Sequence, residues 1–263
     1  CGVDPALKGG DFFYRLNQEK NVVRKIGWPD VAMDAPHEAI MMEDNHVLIV
    51  DCENDRIIEV NGTNKLVWSY NLSCIDWEVI NASFSVPAYF PENWSHVNDV
   101  EIEQRDNTEY MLLSVRNFDL LIEVNYTSAR NKTIPDVADI TWYFGEPGNW
   151  DLMKQQHNAD YLPNGNIMVA DSENGRCIEI NYTTKEIVWT SPDSLDLYWV
   201  RDCDLSPDYE DVVLITDSLN HRVLEYNRTS DEVTWEYAGK LIQPYQSDYL
   251  SDGRILISDG VGG

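Results

Sequence analysis

"QQHNADYLPNGNIMVADSENGRCIEIN", residues 155–181, decides the fold, because the chain repeats it. Residues 37–61 read HEAIMMEDNHVLIVDCENDRIIEVN, residues 96–125 read HVNDVEIEQRDNTEYMLLSVRNFDLLIEVN, and residues 201–227 read RDCDLSPDYEDVVLITDSLNHRVLEYN. A fifth copy, YQSDYLSDGRILISDG, begins at Tyr245 and stops halfway. A short turn and a Trp-bearing segment follow each full copy: KLVWSY, DITWYF, EIVWTS and EVTWEY. Each copy therefore holds four extended pieces. The first is moderately apolar, the second strongly apolar (NIMVAD, VVLITD), the third alternates (RCIEIN, RVLEYN), and the fourth carries Trp. Turn formers such as Pro-Asn-Gly-Asn separate them.

Four strands per repeat, at intervals of roughly 44 to 61 residues, predict an all-β fold, a β-propeller of four-stranded blades. No helical period of 3.6 competes with it. One propeller domain is expected over residues 1–263. Residues 1–11 read as an N-terminal tail, and 12–26, FFYRLNQEKNVVRKI, as the third and fourth strands of a blade whose first two lie at the C-terminus. Pairing them closes the ring at five blades and protects the edges. Six blades is the alternative, if the natural chain runs past Gly263.

Residues that recur read as scaffold. Asp51, Asp171, Asp217 and Asp259 end second strands, and Arg56, Arg176 and Arg222 follow five places after the first three of them. Asn54, Asn174 and Asn220 sit between, where a turn favours Asn. An Asp that organises the turn and pairs with the Arg explains the set. Trp68, Trp142, Trp189 and Trp235 are expected to pack between blades.

The formal charge is −27, from 19 basic and 46 acidic residues. Such a surface repels phosphate backbones, which excludes nucleic acid as a partner. No run of about 18 apolar residues offers a membrane span. The pattern Asn-x-Ser/Thr occurs at Asn61, Asn71, Asn81, Asn93, Asn125, Asn131, Asn181 and Asn227. With 22 Asn in the chain, chance gives roughly two such triplets. A secreted or cell-surface protein carrying N-linked glycans is the expectation. Asn61, Asn125, Asn181 and Asn227 share the hairpin between third and fourth strands. Asn71, Asn81 and Asn93 lie in the long connection after the first full copy, on the opposite face.

The five cysteines are Cys1, Cys52, Cys74, Cys177 and Cys203. An odd count outside the cell leaves one over. A chain opening Cys-Gly reads like a mature lipoprotein, with a lipid anchor on Cys1; the alternative is that the sequence simply starts there. The other four allow three disulfide pairings. Cys52–Cys74 is preferred, because both fall on one face of one blade.

Departures from the repeat carry the functional reading. His37, His96, His157, Arg201 and Tyr245 open the first strands, followed closely by Glu38, Asn98, Asn158, Asp202 and Gln246. In a propeller these positions face the channel. Imidazolium and guanidinium donors there suit an anionic ligand such as a sulfate ester. The reading requires no cofactor and assigns no metal ligands. It admits calcium or another divalent cation beside the histidines and carboxylates. The second full copy breaks the scaffold rule, with Val115-Arg116-Asn117 where Asp is the norm, and Arg116 adds positive charge.

HVNDVEI…YMLLSVRNFDLLIEVN, QQHNADYLPNGNIMVADSEN and RDCDLSPDYEDVVLITDSLNHRVLEYN resemble arylsulfotransferase-like propellers, especially archaeal surface versions, from about His37 to Asp259. The resemblance implies sulfuryl transfer from an aryl sulfate to a phenol through a sulfated channel histidine. By motif, His96, Asn98 and His157 match the sulfate-holding positions, with Arg176 a weaker match. The family's attacking histidine lies in a later blade, where this chain has Arg201 and Tyr245. An active chain would need His157 or His96 as its nucleophile. His37, Asn98, Arg116, Asn158, Arg176, Arg201 and Tyr245 are the expected ligand-binding set. The missing histidine favours a noncatalytic surface, self-assembling or ligand-binding protein, with sulfotransferase as the alternative.

Overall fold

The computed structural model describes residues 11–17, 19–77 and 94–260. Strands β1 (Phe12–Leu16) and β2 (Val22–Gly27) form an antiparallel pair. Blade A is β3 (Pro36–Met41), β4 (Val47–Asp51), β5 (Arg56–Val60) and β6 (Leu66–Asn71). Blade B is β7 (Val97–Arg105), β8 (Thr108–Val115), β9 (Leu120–Asn125) and β10 (Ile140–Gly145). Blade C is β11 (Ala159–Tyr161), β12 (Ile167–Asp171), β13 (Arg176–Ile180) and β14 (Ile187–Thr190). Blade D is β15 (Val200–Leu205), β16 (Val212–Asp217), β17 (Arg222–Asn227) and β18 (Glu232–Tyr237). The last pair is β19 (Pro244–Tyr249) and β20 (Ile255–Asp259). These four-stranded antiparallel sheets and two half-blades are the elements of the expected five-bladed β-propeller.

The chain divides into two compact units, Cys1–Tyr143 and Phe144–Gly263. The first holds β1–β2 and blades A and B; the second holds blades C and D and β19–β20. No helix among the described residues is long and apolar enough to cross a membrane.

Within a blade the second strand is covered on both faces, so it reads as a continuous apolar run. Every residue of β4, β12 and β16 is buried, and fourth strands such as β18 stay largely exposed. Leu48, Ile57, Trp68 and Tyr70 of blade A pack with Val100, Met111, Leu113 and Ile122 of blade B in one core. Met168, Cys177, Cys203, Ile215 and Leu224 build the core shared by blades C and D.

The repeated Asp–Asn–Arg turn is scaffold, as its recurrence implied. Asp51 faces Arg56 in register, as Asp171 faces Arg176 and Asp217 faces Arg222. Asp171 Oδ2 accepts from Arg176 Nε at 2.7 Å and from Asn174 Nδ2 at 2.8 Å, while Oδ1 accepts from the backbone of Lys154 at 2.7 Å. Arg176 continues to the carbonyls of Asp151 and Leu152. Burial still pushes the Asp51 and Asp171 carboxyls above the ordinary range, outweighing the arginines.

Blade B keeps this register with apolar residues: Val115 faces Leu120, and both are fully buried. Phe118 sits beneath them, its ring meeting Trp94 at 4.7 Å and Trp77 at 5.2 Å, edge to face. The departure at Val115–Arg116 is thus compensated by packing, an exchange of buried ion pair for hydrocarbon.

A second recurrent anchor is the glutamate of the third strand, which reaches the next sheet from blades A, C and D, whereas Glu123 of β9 pairs with Arg105 and Thr141 of its own blade. Glu59 accepts from Tyr126 Oη at 2.8 Å and pairs with Arg130, both from blade B, and with His46. Glu179 pairs with Arg228 of blade D at 2.5 Å, and Glu225 accepts from Tyr249 of β19 at 2.9 Å. Two of the four repeated tryptophans pack between blades as expected, Trp68 meeting Tyr126 at 5.2 Å and Trp189 meeting Tyr226 at 6.4 Å, while Trp235 stacks on Tyr237 of its own strand.

The preferred disulfide is overturned. Cys52 is a buried free thiol, and Cys74 is disulfide-bonded without it. Cys52 opens the turn after β4, and its sulfur lies with His37 and His96 instead. Cys177 of β13 and Cys203 of β15 form a disulfide across blades C and D, with Cα atoms 6.4 Å apart. Cys1, Asn81 and Asn93 lie outside the described residues.

Candidate functional site

The first strand of each blade starts with an irregularity that aims the candidate residues. Register slips between Pro36 and Ala39, Val97 and Asp99, Val200 and Asp202, and Pro244 and Gln246. The residues passed over include His37, Asn98, Arg201 and Tyr245. A bulge of this kind turns its side chain away from the regular alternation, and such bulges concentrate at functional sites. In blade C, His157 sits just before β11, its N–H on the Ala170 carbonyl at 3.0 Å.

This register corrects one alignment. Asn98, not His96, stands level with His37, Arg201 and Tyr245. His96 lies two residues earlier and corresponds to Ala35, Gln155 and Trp199. All four take left-handed backbone, with φ of 44° at His96, 46° at Ala35, 45° at Gln155 and 56° at Trp199. Bulky residues pay steric strain there, and strain of this sort gathers at binding sites.

In the first unit His37 and His96 come together, rings edge to face at 5.1 Å. Arg116 hydrogen-bonds Asn117 Oδ1 at 3.0 Å. In the second unit His157 Nδ1 shares a 2.6 Å hydrogen bond with Ser172 Oγ, and its ring meets the Trp199 edge at 5.8 Å. The Arg201 guanidinium lies 4.8 Å from the Trp199 ring and 3.6 Å from the Tyr245 ring. Ser172, His157, Trp199, Arg201 and Tyr245 thus form one connected row. Beside it opens a cleft of about 430 Å³, lined by Ser172, Asn174, Tyr198, Trp199 and Leu219 among others. Its walls are mixed aromatic and polar, the composition of a small-molecule site.

His157 is only 5% exposed. Its fixed ring orients the row and offers little surface for attack on a substrate. Arg176, expected among the ligand-binding residues, is committed to Asp171 and two carbonyls. Sequence reading passed over Trp199 and Ser172. Trp199 was visible as an aromatic residue beside Arg201, but its role depends on a left-handed backbone that residue identity does not announce.

Deeper along the same strands, Asp160, Asp202 and Asp204 bring carboxylate oxygens within 4.8 Å of one another, an arrangement of hard-cation donors. Burial raises the Asp160 carboxyl to about 6. It also raises Asp204 well above the ordinary range, with the charges of Asp202, Asp160 and Asp248 adding to it. Asp202 also accepts from the Ser247 backbone at 2.8 Å.

The described asparagines of the Asn-x-Ser/Thr triplets sit in turns that most of them build. Asn181 Oδ1 accepts from the backbones of Thr183 and Thr184, Asn227 from Thr229 and Ser230, Asn61 from Thr63 and Lys65, and Asn125 from Ser128. Asn71 bonds Ser73 in the same way. Asn131 differs, donating Nδ2 to the Thr127 carbonyl at 2.7 Å.

No protein-family model and no curated protein matches the chain. Solved structures do. A protein of unknown function from Bacteroides caccae aligns at 12% identity over 89% of this chain and 78% of that one, with a TM-score of 0.58. Virginiamycin B lyase from Staphylococcus aureus aligns at 14% over 85% of this chain and 63% of its own, with a TM-score of 0.56. The WD40 β-propeller domain of Doa1 aligns at 11% over 83% and 58%, with a TM-score of 0.54. At these identities the likeness is one of fold, and it places the chain among the β-propeller proteins.

Proposed function

We propose that this is a secreted or cell-surface propeller that binds a small aromatic, anionic ligand without transforming it. The observation that carries the reading is Trp199. It is held in strained backbone as a wall of the cleft, with His157 at its edge and the Arg201 guanidinium against its ring. An aromatic ring stacks on such a wall, and Arg201, buried against the Trp199 ring without lining the cleft, biases the site toward an acidic substituent. The acceptor triplets and the Cys177–Cys203 disulfide support an oxidising, glycosylating compartment. Glycans and other surface proteins are its expected partners.

The test is titration with 4-nitrophenyl sulfate and 4-nitrophenol, followed by calorimetry. Saturable binding is expected, tighter for the sulfate. Trp199→Gly removes the wall while relieving the backbone, so it abolishes binding and leaves the fold intact. Equal binding by wild type and Trp199→Gly would refute the reading. The second reading, sulfuryl transfer to phenol, rests on the likeness of His96, Asn98 and His157 to the sulfate-holding positions of arylsulfotransferase-like propellers, not on the burial of His157. It requires 4-nitrophenol release that His157→Ala eliminates; the binding reading expects no release from wild type.

A further inference from the structure

The three places that make the row in the second unit are filled differently in the first. His157, Ser172 and Trp199 stand at the bulge, at the first residue after the second strand, and two residues before the next blade's bulge. In blade A the same places hold His37, Cys52 and, at the entry to blade B, His96. Two imidazoles and a thiol have replaced an imidazole, a hydroxyl and an indole. The Cys52 sulfur and one nitrogen of each histidine all lie within 4.8 Å of one another.

We propose that His37, Cys52 and His96 form a binding site for a thiophilic transition-metal ion of the zinc class. Bonds of about 2.3 Å to sulfur and 2.0 Å to nitrogen, at tetrahedral angles, place such donor atoms roughly 3.3–3.6 Å apart. Closing from the present spacing needs side-chain adjustments of only about 1 Å. Three protein donors leave a fourth position for water or an exogenous ligand. Thiolate and imidazole together select zinc or copper over calcium and magnesium.

The chemistry balances without redox change. The Cys52 Sγ–H bond breaks as the Sγ–metal bond forms, the proton leaves to solvent, and each donor displaces one metal-bound water. Burial is the main influence holding the thiol protonated, with the Glu53, Asp55 and Asp51 carboxylates acting in the same direction and Arg116 against them. Metal uptake therefore strengthens as pH rises, because the ion must displace this proton and any on His37 and His96. Cys52 also belongs to the apolar core of blades A and B, so one flank of the thiol is packed in hydrocarbon while the two imidazoles meet it on another.

The full chain, stripped with a chelator and kept free of reductant, would be titrated with Zn(II) and separately with Co(II). The expected result is one tight equivalent, with a thiolate-to-cobalt charge-transfer band in the near ultraviolet. Cys52→Ala should abolish that band. His37→Ala, which retains the thiol, should weaken zinc binding by more than the ~10- to 100-fold that loss of an outer-shell partner costs. Asp252→Asn, at an exposed turn paired with Arg254, should leave the band unchanged. Near-ultraviolet circular dichroism of both ligand variants checks that they fold; either folded variant suffices to decide. Absence of a thiolate band in wild type would overturn the proposal. So would a band that persists in Cys52→Ala, or zinc affinity unchanged in His37→Ala.

Discussion

At the scale of the residue, the turn carboxylates organise more of the structure than any candidate site residue does. Asp217 accepts from Arg222, Asn220 and the Tyr198 backbone at 2.7–2.8 Å, while wholly buried. Asp217→Ala leaves the Tyr198 backbone donor without this acceptor and Arg222 with the Leu195 carbonyl and Glu236, so urea unfolding should show a loss of about 2–3 kcal/mol. Arg222→Lys should cost less but still measurably, because an ammonium cannot serve both Asp217 and the Leu195 carbonyl as the planar fork does. This much was legible in the sequence: an Asp, an Asn and an Arg at fixed offsets in three repeats spell out an ion pair closing a turn. The histidines were less legible. His96 looks like the counterpart of His37 and His157 by residue type, yet it occupies the left-handed position that Ala35, Gln155 and Trp199 hold in the other blades. Matching letters set histidine against histidine, where the shared bulge sets Asn98 level with His37. Cys52 misled in another way. A shared face of one blade suited a disulfide with Cys74, but the first residue of the turn brings the Cys52 sulfur to His37 and His96.

At the scale of the element, blade B shows that the turn has two solutions. Val115 and Leu120 replace the ion pair, and Phe118, Trp94 and Trp77 fill the space beneath. Val115→Asp alone should destabilise by about 3–5 kcal/mol, since it buries a carboxylate opposite a leucine. Adding Leu120→Arg should recover part of that loss, and a double-mutant cycle by chemical denaturation would read the coupling. Recovery stays incomplete, because Phe118, Trp94 and Trp77 pack this turn as hydrocarbon rather than around a guanidinium. Strand order, the apolar second strands and the Trp-bearing fourth strands were all legible from repetition. The pairing of Cys177 with Cys203 was not. It joins the third strand of one blade to the first of the next, a proximity set by how sheets pack.

At the scale of the molecule, acidity governs behaviour in solution. Asp160, Asp204 and Asp248 have carboxyls raised mainly by burial. A raised carboxyl binds its proton more tightly folded than unfolded. Its contribution is therefore complete below the ordinary value near 3.8 and is lost as pH climbs through about 6. Melting temperature should fall between pH 4 and pH 7, and Asp160→Asn should flatten that fall, with a gain on the order of 1 kcal/mol at neutral pH. A melting curve as steep in the variant as in wild type would show that these carboxyls titrate normally.

The glutamates of the third strands have an evolutionary consequence. Glu59 is answered by a tyrosine and an arginine, Glu179 by an arginine, and Glu225 by a tyrosine, each from the next sheet along. Every one of these junctions is therefore keyed with a different lock. Gene segments encoding single blades of this chain cannot be exchanged freely. A transplanted blade would arrive with its glutamate facing the wrong neighbour, so the repeats now have addresses.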